Sequence, residues 1–308
     1  MPVPNPVPTT IRATSGSGMR GCGFRTDCPA RYAAAAINAS AAEWDPANAT
    51  AALQLEARHA AARAGCATTS RGGILPSGGW CLVHSHRAAF SARHSGGTYR
   101  LPRNRTVELP AHHYAADGTV VNVLGALLLG KLPFMARTAT PQSLADFGAG
   151  VGEYGHALAA VHPEVHWRGY DGAGNVEEFT RGFVRFVDLA LPLALPRADW
   201  VLSLDVGEHV PPEHEAMYLR NLHAHNCRGV ILKWAELGVR GNGHVNNHAA
   251  AYVRERMEEL GYRVHPELSE ALQTGAYRHL RFRGGGAGPF YRQLHHNLFA
   301  YERLTPVC

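Results

Sequence analysis

The residues of this 308-residue chain that could do chemistry gather in a few short stretches. Gly150-x-Gly152-x-x-Gly155 follows an apolar run from Ser143 to Phe147, the pattern of a strand that enters a tight glycine turn and opens a helix. A glycine triplet alone serves several nucleotide-like ligands. Asp146 narrows the choice. With Gly148, Gly150 and Gly152 it makes Asp-x-Gly-x-Gly-x-Gly, which sets a carboxylate at the strand end, where it attracts a cationic or amino-bearing group and repels a pyrophosphate. Asp171 closes Gly169-Tyr170-Asp171, where a ribose-binding acid is expected after the next strand.

Further along, Asp205, Glu208 and His209 stand at i, i+3 and i+4 in LSLDVGEHVP, on one face of any helical turn formed there. Two carboxylates and an imidazole converging in this way can bind a divalent ion or act as acid and base. Three uses are open from the residues alone: ordering of the loop before a helix near Pro211, a metal-free general base, or a metal site. His244, in GNGHVNNH, is the group a later loop would bring to join them.

Alternating apolar runs and helical periodicities must position these groups. The expected strands are 143–148, 165–171, 183–187, 199–205 and 229–235, and the expected helices 152–161, 173–182, 213–225 and 247–260. This alternation predicts a doubly wound, mainly parallel sheet with helices on both faces. Two more strands, Tyr262 to Glu267 and Leu294 to Arg303, flank a helical SEALQTGA and make a closing antiparallel pair. Ahead of the core, Asp117 is expected to cap a helix carrying Val120, Val121, Leu124, Leu127 and Leu128. Residues 1–20 read as a disordered or loosely docked tail, and 21–116 as an extension packing on the core domain, 117–308. Within that extension, Trp44 to Ala64 has helical character and is expected to stop at Gly65, and Trp80 offers an apolar anchor.

Charge and composition exclude some classes. The net charge is +5, but only Lys131 and Lys233 are lysines, and the arginines form no run of five or more. That argues against a nucleic-acid partner. No apolar stretch reaches membrane-spanning length, and the first residues lack a signal-peptide pattern, so a soluble chain is expected, with the cytoplasm slightly favoured. Cys22, Cys28, Cys66, Cys81, Cys227 and Cys308 show no zinc spacing. With Asn-x-Ser/Thr sequons at Asn38, Asn48 and Asn104, they keep a secretory lumen open. Arg278 to Arg283 reads as a solvated strand face, and His295-His296 carries no assigned role.

On the Asp-Gly-Gly-Gly turn, the Gly-Tyr-Asp end and the DVGEH stretch, residues from about 117 to 303 resemble class I S-adenosylmethionine-dependent methyltransferases. The resemblance implies a Rossmann-like, seven-stranded, mainly parallel sheet with an antiparallel C-terminal strand. It also implies that Asp146, Phe147, Gly148, Gly150 and Gly152 cradle the methionine part of S-adenosylmethionine. Asp171 would take the ribose hydroxyls, Asp188 and Leu189 the adenine edge, and Asp205 would lie over the methyl group. Asp205, Glu208, His209 and His244 are further similar to the divalent-metal site of small-RNA 3′-terminal 2′-O-methyltransferases, with Asp205 in place of a glutamate. The implied activity is methyl transfer to an oxygen, less readily a nitrogen, of a small-molecule or glycan acceptor, with His209, His244 and Glu208 catalytic. Two alternatives remain, a nicotinamide-dependent oxidoreductase and a non-catalytic cofactor-binding module.

Overall fold

Leu144 on one face and the alternate Ala145 and Phe147 on the other send apolar side chains to both sides of a sheet, which suits a strand covered by helices on each side. In the computed structural model, which describes residues 49–68, 75, 78–79, 81–82, 98–101, 105–108, 118–135, 140–241, 243–273 and 297–308, that strand is central. The elements in order are α1 (Ala49–Thr68), β1 (Thr98–Leu101), β2 (Arg105–Glu108), α2 (Gly118–Leu128), β3 (Ser143–Phe147), α3 (Glu153–Val161), β4 (His166–Asp171), α4 (Val176–Thr180) and β5 (Val184–Phe186). There follow β6 (Ala198–Leu204), α5 (Glu215–Ala224), β7 (Asn226–Lys233), α6 (Ala250–Glu259), β8 (Tyr262–Val264), α7 (266–273) and β9 (Leu298–Arg303). β1 and β2 pair only with each other.

The main sheet has seven strands in the order β5-β4-β3-β6-β7-β9-β8. All neighbours from β5 to β7 run parallel, and β9 is antiparallel to both β7 and β8. This is the Rossmann-like arrangement expected from the sequence. The winding reverses between β3 and β6, so their carboxyl ends flank the crevice where ligands of such sheets bind. The glycine turn leaves β3, and the DVGEH stretch leaves β6.

Each face has its own core. Phe147, Tyr170, Val201, Tyr218, Trp234 and Met257 pack on one side, and Leu124, Leu128, Leu144, Leu158, Trp200 and Ile231 on the other. Each such side chain contributes about 1.5–3 kcal/mol by leaving water. The α2 stripe of Val120, Val121, Leu124, Leu127 and Leu128 is buried throughout, as its spacing requires.

Several boundaries differ from expectation, each for a local reason. The helix expected over 173–182 is only Val176–Thr180, because the Asp171 carboxylate binds the Ala173 amide before it and Arg181 and Gly182 turn left-handed after it. The helix expected to stop at Gly65 continues to Thr68, since Cys66 in its last turn is bridged to Cys81. The helix expected over 213–225 begins as a separate 3-10 turn, Pro212–His214. The strand expected over 229–235 begins earlier, at Asn226, and ends at Lys233. Residues 1–48, Trp80, Asn104, Asp117, Arg278 to Arg283, His295 and His296 lie outside the described residues, and with them the tail, Cys22, Cys28, all three sequons and the expected cap. Among the described residues no helix is long and apolar enough to cross a membrane.

Candidate functional site

The turn after β3 depends on left-handed backbone, with φ of 85° at Gly148, 56° at Gly150 and 84° at Gly152. At Gly148 space also decides. A Cβ there would lie 2.2 Å from Cγ2 of Val206, so only glycine lets the turn meet the segment leaving β6. Asp171 ties this turn to β4. Its Oδ2 accepts from the Gly150 amide at 2.8 Å, and its Oδ1 from the Ala173 amide at 2.8 Å. A carboxylate has about four acceptor positions, so Asp171 retains capacity for ligand hydroxyls. Phe147 contributes backbone only, because its side chain is fully buried edge-on against Tyr170.

Asp146 is buried, and the Trp167 Nε1–H donates to its Oδ2 at 3.2 Å. Burial pushes the Asp146 carboxyl up to about 7, with Trp167 opposing and Asp171 adding to the rise. Burial likewise raises Asp171 to about 6, against the pull of the Ala173 and Gly150 amides. Glu153, the first residue of α3, completes the group. Burial and then the charges of Asp146 and Asp171 hold it well above the ordinary carboxylate range. Among the described residues, none of the three pairs with a lysine or arginine. Three carboxylates facing one turn favour a ligand that brings positive charge and oppose a pyrophosphate.

Asp188 follows β5. Its Oδ1 accepts from the Ala190 amide at 2.9 Å, and Nη1 of Arg58 on α1 lies 3.5 Å from its Oδ2. Leu189 is buried, and its carbonyl accepts from Asn221. The extension therefore reaches the segment that follows β5. His59 stacks flat on Phe186 at 4.2 Å, the Asn175 side chain bonds both the amide and the carbonyl of Leu82, and Gly78 and Gly79 lie against the backbone of His209 and Gly172.

Beyond β6 the chain turns at Asp205, whose φ is 55°, and enters the 3-10 turn Gly207–His209. Nζ of Lys233 lies 2.6 Å from Oδ1 of Asp205. Glu208 is fully buried, and neither carboxylate oxygen makes a hydrogen bond of normal geometry with a protein donor. Burial, then the Asp205 charge, pushes its carboxyl up to about 8, while its own amide, Lys233 and the Ala235 amide pull the other way. The loop 235–249 folds back over it. The amides of Val245 and Asn246 donate to the Glu208 carbonyl at 2.8 and 3.0 Å, which brings Nε2 of His244 to 4.0 Å from Oε1 of Glu208.

The two imidazoles are oriented by carbonyl groups. Nδ1 of His209 lies 3.2 Å from the Gly243 oxygen, and Nδ1 of His244 lies 3.3 Å from the Val239 oxygen. A carbonyl only accepts, which favours the proton on Nδ1 of His209, whereas Nδ1 of His244 meets both the Val239 carbonyl and, at 3.4 Å, the donating Nδ2 of Asn247, so its tautomer is set by which of the two it bonds. The rings stand nearly perpendicular with centroids 5.0 Å apart. One donor atom from each of Glu208, His209 and His244 falls within 4.8 Å of the others. Bonds of about 2.0–2.2 Å to a metal would put these atoms about 3–3.5 Å apart, a side-chain adjustment of about 1 Å. The donor set, with carbonyl groups behind both imidazoles and a carboxylate lacking its own partner, fits a divalent transition ion.

Comparison with solved structures finds similarity to several methyltransferases. Magnesium protoporphyrin IX methyltransferase from Synechocystis PCC 6803 with bound S-adenosylhomocysteine is similar over 60% of this chain and 83% of its own, at 19% identity and a TM-score of 0.40. A phosphoethanolamine N-methyltransferase from Haemonchus contortus covers 59% of this chain and 52% of its own, at 15% identity and a TM-score of 0.34. An O-methyltransferase from neocarzinostatin biosynthesis covers 40% and 44%, at 16% identity and a TM-score of 0.31. No protein-family model and no curated protein sequence matches the chain.

The structure thus brings Asp146, the glycines and Asp171 to one end of the crevice and Glu208, His209 and His244 to the other. Asp205 departs from the reading that put it in the metal group, because its carboxylate is turned to Lys233. Trp234, the residue after β7, is core: its ring lies under Gly207, and its Nε1 donates to the Asn246 carbonyl. Glu153 was missed by sequence reasoning. Its one signal is an acid in the first turn of the helix after the glycines.

Proposed function

We propose that the protein is an S-adenosylmethionine-dependent methyltransferase acting on an oxygen of a small-molecule or glycan acceptor. The observation that carries this is the group formed by buried Asp146 and the part-buried Glu153 and Asp171 around the glycine turn at the switch point of the sheet, all three with carboxyls raised chiefly by burial. S-adenosylmethionine brings an ammonium and a sulfonium, which favour ionisation of these raised carboxyls, whereas a nicotinamide dinucleotide brings two negative phosphates that oppose it. Asp171 takes ribose hydroxyls with its remaining acceptor positions. Asp188 takes the adenine amine, with Arg58 giving way.

S-adenosylmethionine, when bound by Asp146, the glycine turn and Asp171, would supply an electrophilic methyl group to the acceptor oxygen, with the carbon–sulfur electron pair left on sulfur. The acceptor's proton passes to Nε2 of His209 or His244. At His209 the Gly243 carbonyl beside Nδ1 favours the tautomer that receives it. Glu208, His209 and His244 also suit a divalent cation, which when bound supplies Lewis acidity that lowers the pKa of the acceptor hydroxyl.

The Cys66–Cys81 and Cys227–Cys308 bridges support an oxidising compartment such as the secretory lumen, against the slight preference for cytoplasm drawn from the sequence. Calorimetric titration of the full chain tests the central assignment. S-adenosylhomocysteine is expected to bind and NAD to give no heat of binding. Comparable affinity for NAD would overturn the assignment in favour of an oxidoreductase.

A further inference from the structure

His244 rides on a stretch with no regular secondary structure, yet its ring is held within reach of Glu208. Two anchors come from the site itself, the bonds of the Val245 and Asn246 amides to the Glu208 carbonyl and of His209 Nδ1 to the Gly243 carbonyl. The other end of the loop converges on a residue outside the site. Oε2 of Glu215, the first residue of α5, accepts from Asn246 Nδ2 at 2.9 Å and lies 2.6 Å from Nε2 of His248. Its Oε1 accepts from the Tyr252 hydroxyl at 2.5 Å. Two groups of the loop after β7 and one in the first turn of α6 are thus gathered by one carboxylate. Asn246 is buried, and its carbonyl is held by Trp234 Nε1 at 2.6 Å, so its position passes directly to the neighbouring Val245 and His244.

We propose that Glu215 is the positioning residue of this site: by accepting from Asn246, His248 and Tyr252 it locks the loop 235–249 in the arrangement that presents His244 to Glu208 and His209. The proposal rests on the reading that these three residues are the working groups. Burial alone would raise the Glu215 carboxyl, but the bonds from His248, Tyr252 and Asn246 outweigh it and hold the group below its ordinary value, as expected of an ionised acceptor. An ionised acceptor bonds more strongly than a neutral amide would, so Glu215→Gln weakens the lock while nearly preserving shape.

The test compares wild type and Glu215→Gln as full chains in three measurements. Hydrogen–deuterium exchange reads the Val245 and Asn246 amides, titration with Co2+ reads the Glu208–His209–His244 group, and titration with S-adenosylhomocysteine reads the other end of the crevice. The expected result is at least about tenfold faster exchange at Val245 and Asn246 and about tenfold weaker Co2+ binding, with S-adenosylhomocysteine affinity within about twofold. A merely structural Glu215 would lower all three together or none. Unchanged exchange at Val245 and Asn246 overturns the proposal. If wild type binds no Co2+, the metal use of the site is lost while the exchange result still decides the role of Glu215. Should Glu215→Gln not fold, Asn246→Ser removes only the link between loop and carboxylate and is expected to give the same exchange result.

Discussion

Nζ of Lys233 at the end of β7 lies 2.6 Å from Oδ1 of Asp205 at the end of β6, so two adjacent parallel strands are clasped at their carboxyl ends over the crevice. The clasp takes Asp205 out of the metal-ligand group that its i, i+3, i+4 spacing suggested. It also sets a cation next to the buried Glu208. Lys233→Met is expected to cost about 1 kcal/mol in urea unfolding, a modest figure because Asp205 is 34% exposed and partly screened. An unchanged midpoint would show that the pair adds nothing to the fold.

The raised carboxyls predict a pH dependence of unliganded stability. Asp146, Asp171 and Glu208 sit at about 7, about 6 and about 8 in the folded chain, against about 4 when unfolded. The folded state therefore holds protons that the unfolded state releases. The stability this represents is fully present below about pH 4 and is lost as pH rises through 6 to 8. Other groups dominate under strong acid, so the slope is best read between pH 5 and 8.5, where thermal midpoints should fall. On the proposed reading S-adenosylmethionine would stabilise the ionised carboxylates, so its thermal shift should be larger at pH 8 than at pH 5.5. A shift independent of pH would count against the carboxylates as its seat.

The two ends of the crevice are expected to separate under mutation. Asp171→Ala should weaken S-adenosylhomocysteine binding by at least about tenfold, the loss of one charge-assisted bond. His209→Ala and His244→Ala should leave that binding intact. They should lower transfer of labelled methyl into a native metabolite or glycan extract by about 10²–10⁴-fold, the range for losing a general base. Full turnover by His209→Ala and by His244→Ala alike would remove both from the chemistry.

Gly148→Ala should damage both fold and site. The left-handed backbone costs a side chain about 1–2 kcal/mol, and the added methyl would meet Val206 at 2.2 Å, for about 1–3 kcal/mol of overpacking. A fall in both urea midpoint and S-adenosylhomocysteine affinity is expected. Gly182→Ala is the control, since nothing lies within 4 Å of its added carbon. It should lose stability from backbone strain alone and keep the affinity.

The disulfides predict the compartment's effect on stability. Cys66–Cys81 closes 15 residues and Cys227–Cys308 closes 81, so breaking each should cost about 2–4 kcal/mol, more for the longer loop. Peptide mapping of native protein under non-reducing conditions should recover both linked pairs. Free Cys227 and Cys308 in that material would refute the lumenal assignment.

The sequence by itself determined what depends on local chemistry and period. Strand and helix alternation dictated the parallel sheet, and the Asp-Gly-Gly-Gly turn was legible because left-handed backbone at a strand end demands glycine. Glu208, His209 and His244 were legible as types that share chemistry. Only the tertiary structure decided their partners, because contact across the sheet has no fixed sequence offset. Lys233, 28 residues from Asp205, claims its carboxylate. Glu153 joins Asp146 and Asp171 because α3 begins where β3 and β4 end. Glu215 gathers loop residues 31 and 33 positions away and, at 37, the first turn of α6. Spacing places a residue on a turn, but burial and the competition among neighbours settle which charge it meets there.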